Sequence, residues 1–222
     1  MSGWWVHMIF DRHDGGTAGA VAVASWTVAV IGSIVLHELA HGWAALRQGD
    51  GTPRELGRMT LDPMVHMGGF SLLLFAILGI AWGVMPVNPA RFRNRRWGSV
   101  LVAAAGPAMN LALFLLCSVA LGLLMRSGWE GPMASYAVTF LSIGGMINAL
   151  LCLFNLLPMP PLDGWRILEG LFEPIRRLSS HPNAGIASLM VLMLIFMTGA
   201  FSVFWGLAAA ATAAVAKLVA GV

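Results

Sequence analysis

Charge is what this sequence has least of. Only 10% of its 222 residues are Asp, Glu, Lys or Arg, far below the roughly 25% usual in soluble domains. With 58% apolar residues and a mean hydropathy of +0.79, that scarcity excludes an ordinary soluble domain and predicts an integral membrane protein. Cysteine is almost missing too. Cys117 and Cys152 lie in apolar runs without a C-x-x-C partner, so they read as free packing residues. The start lacks a basic end, an apolar centre and a small-residue cleavage site, so no signal peptide is expected and the first long run serves as its own insertion signal. The net charge of +3 does not point to nucleic acid, because the basic residues gather in short loops beside apolar runs, where headgroups and topology explain them.

What is present is a series of apolar runs at about 17–46, 68–84, 98–125, 134–157 and 184–222. The length allows about four to six membrane elements, so the fold class is an all-α polytopic bundle. It is read as one membrane-embedded unit over 1–222, with no repeat and no linker. The fourth run ends at Pro158, Pro160 and Pro161, which lack the amide a continuing helix needs. Segment 162–178 looks amphipathic and interfacial. Trp4 and Trp5 suit an interfacial anchor. Run 184–222 is long enough for one span and a second, Ala-rich helix.

Cytoplasmic loops keep an excess of Lys and Arg. Four arginines in 86–97, and Arg166, Arg176 and Arg177 in 164–178, therefore predict both segments to be cytoplasmic. If the segment holding Arg47, Arg54 and Arg58 lies on the same side, run 68–84 does not cross once. It then re-enters and leaves on one side, which irregular backbone tolerates only where it lines a protein-walled cavity.

His37-Glu38-Leu39-Ala40-His41 is an H-E-x-x-H pattern. On a helix its histidines share one face, as a single zinc ion requires, and Glu38 stands beside them as a general base. Ionisable groups within a span are costly and mark function, although the same residues would also serve as interhelical ties. A catalytic zinc uses three protein ligands plus water, and residues 42–48 hold no further histidine or carboxylate. Asp163 is the best remaining candidate; spacing alone suits an Asp-Gly surface turn equally well. Asn110 is a polar residue in mid-run, open to a site role or to an interhelical hydrogen bond. Asn155, Asn148 and His66 are weaker candidates, and Asn155 also suits a helix-end cap. His7, His13 and His181 have no chemical context.

His37-Glu38-Leu39-Ala40-His41, Gly106-Pro107-Ala108-Met109-Asn110 and Asn155-Leu-Leu-Pro-Met-Pro-Pro-Leu-Asp-Gly164 together resemble the site-2 protease family of intramembrane zinc metalloproteases. The resemblance covers roughly 25–175 and is closest to the compact bacterial and archaeal members, which implies a prokaryotic cell membrane. This chain has Asp62-Pro63 where those members typically have Asn-Pro, and His66-Met67-Gly68-Gly69 where they tend to have His-Ile-Asp-Pro. It has no room for the PDZ or CBS domains of larger relatives.

The resemblance implies Zn2+ held by His37, His41 and Asp163, with Glu38 as base. It also implies weaker substrate or oxyanion roles for Asn110, Asn155 and His66. The activity implied is hydrolysis of peptide bonds in or near a transmembrane segment, in a protein or peptide substrate within the bilayer. Because a helical substrate must unwind before cleavage, the 68–88 region is a candidate clamp that holds it as an added strand. A membrane zinc-binding or transport protein without peptidase activity is the alternative.

Overall fold

The computed structural model describes residues 5–13, 15–179 and 201–222, with 190–191, 194 and 198–199 besides. Trp4, His181 and the opening of run 184–222 lie outside them. The elements are α1 (Trp5–Arg12), α2 (Gly16–Arg47), α3 (Thr52–Glu55), α4 (Pro63–Leu78), α5 (Arg95–Ser127), α6 (Pro132–Asn155), α7 (Asp163–Leu171), α8 (Glu173–Ser179) and α9 (Phe201–Ala220). No strand occurs among the described residues. Helices α2, α5, α6 and α9 are long and apolar enough to cross a membrane, so the chain is a multi-pass integral membrane protein, as its composition predicts.

Lipid offers helices no hydrophobic drive to associate, so packing depends on close backbone approach at small residues. Helix α5 is the hub, touching α2, α6, α7 and α9. A Cβ on Gly145 of α6 would lie 2.7 Å from Thr212 Cγ2 of α9 and 3.0 Å from Ser118 Oγ of α5. The three helices can therefore meet only because that side chain is absent.

Run 68–84 turns back on itself. Helix α4 is 16 residues long, short of the roughly 20 a crossing needs. It starts at Pro63, where Asp62 accepts from the Met64 amide at 2.8 Å; the aspartate thus does the capping for which Asn is also suited. Gly68, at φ +70, kinks the helix, and Gly79, at φ +74, ends it. The chain then returns as a non-helical strap, 80–88. Val84 N donates to His66 O at 3.0 Å, and Trp82 exchanges bonds of 2.8 and 3.0 Å with Ser71 Oγ. Bonding at alternate residues is the habit of an extended chain.

The strap is pinned where it started. Asn88 N donates to Asp50 Oδ2 at 2.6 Å, and Asp50 Oδ1 accepts from the amide and hydroxyl of Thr52 at 3.0 and 2.5 Å. Arg91 meets Glu55 at 2.7 Å. Both ends of the α4 hairpin therefore lie beside the C-terminal end of α2, the re-entrant alternative of the sequence reading.

Asp50 is fully covered. Burial raises its carboxyl, but the bonds from Asn88 and Thr52 and the charge of Arg91 outweigh that and hold it below its ordinary value. A carboxyl with a depressed folded pKa stabilises fully above its unfolded value of about 3.9 and loses that contribution as pH falls through the folded one. The pin should therefore hold at neutral pH and fail only in acid. Asp50→Ala leaves those amides without an acceptor and is expected to cost about 1–3 kcal/mol, seen as a lower unfolding temperature in detergent and faster protease nicking within 80–88.

Segment 162–178 folds as two helices, α7 and α8. Pro174 has no amide to offer the carbonyl four residues back, at Gly170. Arg96 of α5 takes that carbonyl with Nε and the Leu171 carbonyl with its terminal nitrogen, both at 2.7 Å. This fork fastens the end of α7 to α5.

Candidate metal centre

Helical geometry sets His37 and His41 one turn apart on the face of α2 that meets α5, their rings edge-on with centroids 4.6 Å apart. Their Nε2 atoms are 3.0 Å apart. The first residue of α7 supplies the third member, Asp163. Its Oδ2 lies 3.1 Å from His37 Nε2 and 3.3 Å from His41 Nε2. All three side chains are buried. Gly164 makes this approach possible, because a Cβ there would run into the carbonyls of Leu156 and Leu157.

The other ring nitrogens are already engaged. His41 Nδ1 meets Val102 O at 2.7 Å, and a carbonyl only accepts. A neutral His41 therefore carries its proton on Nδ1 and keeps a lone pair on Nε2. Pro107 leaves the α5 ladder open at Ala103, next to the carbonyl that His41 uses. His37 Nδ1 meets Asn110 Oδ1 at 2.6 Å. When both imidazoles are neutral and donate from Nδ1, three electron pairs converge, with Asp163 Oδ2 buried among them.

A bound cation makes that arrangement favourable. Tetrahedral zinc with bonds of about 2.0–2.1 Å spaces nitrogen and oxygen ligands about 3.3–3.4 Å apart. The three edges here are 3.0, 3.1 and 3.3 Å. Two imidazoles and one carboxylate also match zinc chemically. His37, His41 and Asp163 are therefore a candidate metal group whose dimensions fit the ion.

The centre opens on a cavity of about 1220 Å³, which extends past Glu38 and the strap to Arg95 and Arg166. Glu38 is buried and lines it. The strap passes close over Glu38, since a Cβ on Gly83 would stand 2.7 Å from Glu38 Cγ. Asn155, the last residue of α6, also lines the cavity and gives one amide hydrogen to Leu151 O at 3.0 Å. His66 is 2% exposed; its Nε2 meets Thr60 O at 2.6 Å, and its Nδ1 has no partner. Asn110 is completely buried, against His37.

Sequence reasoning did not find the Val102 carbonyl, which no side-chain pattern reveals, nor the roles of Asp50 and Arg96. The run Asp50-Gly51-Thr52-Pro53 did carry a signal, since Asp commonly bonds the amide two residues on.

The model of peptidase family M50 matches residues 125–199. The chain is 37% identical over 196 residues to YwhC of Bacillus subtilis, covering 86% of this chain and 89% of that protein. It is 31% identical over 180 residues to Rip2 of Mycobacterium tuberculosis, covering 78% and 66%. It is 29% identical over 177 residues to sll0528 of Synechocystis, covering 80% of this chain but only 38% of that longer protein. All three are named as zinc metalloproteases. No solved structure matches the chain. Likeness to YwhC along most of both chains agrees with a buried two-histidine, one-carboxylate group: the chain belongs to peptidase family M50, the site-2 protease family of zinc metalloproteases.

Proposed function

We propose that this chain hydrolyses peptide bonds in or near transmembrane segments of other membrane proteins, the reaction of regulated intramembrane proteolysis. One observation carries this reading. Ligand atoms of His37, His41 and Asp163 meet beneath the surface of an apolar bundle, and Glu38 lines the cavity that reaches them. A bound zinc supplies Lewis acidity towards water and towards the scissile carbonyl. Glu38 takes the proton of the attacking water and passes it to the leaving amine.

The chain's own residues also present the substrate. Among the described residues, no protein group pairs with the backbone of Ala81, Gly83 or Met85, while Trp82 and Val84 are tied to α4. That free edge takes an unwound substrate as an added strand, with His66 supporting it through its carbonyl. Asn155, with its Oδ1 and second amide hydrogen uncommitted, holds substrate backbone beside the centre. Arg95, Arg96 and Arg166 line the cavity, and their positive charge supports the reading that it opens to the cytoplasmic side of a prokaryotic cell membrane, from which water enters.

The test is reconstitution with zinc and a panel of single-span peptides, with products mapped by mass spectrometry. Cleavage within or beside the span, lost to a chelator and restored by zinc, is expected. Zinc flux into vesicles with no cleavage of any peptide would make the chain a carrier instead.

A further inference from the structure

We infer that Asn148 and Asn110 form a one-way hydrogen-bond relay that fixes the tautomer of His37 and keeps its Nε2 open for the metal. The relay starts at a backbone carbonyl. Asn148 of α6 donates from Nδ2 to Gly144 O at 2.9 Å. Because a carbonyl only accepts, this bond fixes the Asn148 amide and turns its oxygen towards α5. Asn110 donates from Nδ2 to that oxygen at 3.0 Å. Its own oxygen must then face His37, whose Nδ1 lies 2.6 Å away. His37 donates from Nδ1, and the lone pair stays on Nε2.

Each link is determined by the one before it, across three helices. Asn110 is 0% and Asn148 3% exposed, so water does not compete. A reversed Asn110 amide would present its NH2 to His37 Nδ1, drive the proton to Nε2 and remove a ligand. Neither asparagine lines the cavity, which makes them positioning residues acting through His37 rather than substrate contacts. His41 receives the same instruction directly from Val102 O.

The experiment is zinc affinity by chelator competition on the full chain in mild detergent. Asn148→Leu is expected to weaken binding about 10–100-fold, the usual effect of removing an outer partner of a metal-bound histidine. Adding Asn110→Asp should rescue that variant, because both oxygens of a carboxylate accept and neither orientation is wrong. Histidine 15N resonances of the metal-free protein should show His37 protonated at Nδ1 in wild type and a mixture of tautomers in Asn148→Leu. Asn148→Ala makes the same test should the leucine variant not fold.

Wild-type affinity in a folded Asn148 variant would overturn the relay. So would an equal loss in the Asn148 variant with and without Asn110→Asp, which marks packing damage alone. The inference rests on the zinc reading: a wild type that binds no zinc defeats that reading, and the resonances then judge the relay separately, Nε2 protonation of wild-type His37 overturning it.

Discussion

Glu38→Gln is expected to slow peptide hydrolysis by about 10²–10⁴-fold, the range for loss of a positioned general base, while zinc content stays at the wild-type level. Glu38 is not among the three ligand residues, and glutamine keeps its size beneath the strap at Gly83. Only the capacity to take a proton is lost. If Glu38 instead tied the bundle together, the same variant would lower the unfolding temperature. Rate, zinc per chain and melting measured on one preparation separate the two roles.

Gly106→Val should abolish metal binding without dismantling the bundle. Gly106 lies on the face of α5 that meets both imidazoles, and even a Cβ there would stand 2.5 Å from His37 Nε2, inside any ordinary contact. Either the imidazole rings or the helices that carry them must move, and either movement separates ligand atoms now about 3 Å apart. Gly32→Ala on α2 is the control, because a Cβ at that position meets nothing within 4 Å. Zinc per chain should fall close to zero in the first variant and remain unchanged in the second.

Glu38 and the two histidines beside it show what was legible in the sequence. His37, Glu38 and His41 could be read because helix periodicity is local: four residues return to one face wherever the helix lies. The long spans could be read because lipid demands length and hydrophobicity. Asp163 could not be placed by spacing, since its approach depends on the break after α6, on Gly164 fitting against Leu156 and on Arg96 securing the far end of α7. The α4 hairpin was ambiguous because an apolar run of its length suits a span as well as a hairpin. Its direction is decided by Gly68 and Gly79 and by Asp50, whose partner Asn88 is distant in sequence. Asn110 was visible as a costly polar group, but its partner was not, because register between α5 and α6 is a property of packing.

The most direct test of the metal centre is zinc per purified chain by elemental analysis in mild detergent, wild type beside Asp163→Ala. One zinc per wild-type chain that falls sharply in the variant joins His37, His41 and Asp163 in one site, as their converging ligand atoms predict. A well-folded wild type that binds no metal, or a variant that keeps all of it, would contradict the site described above.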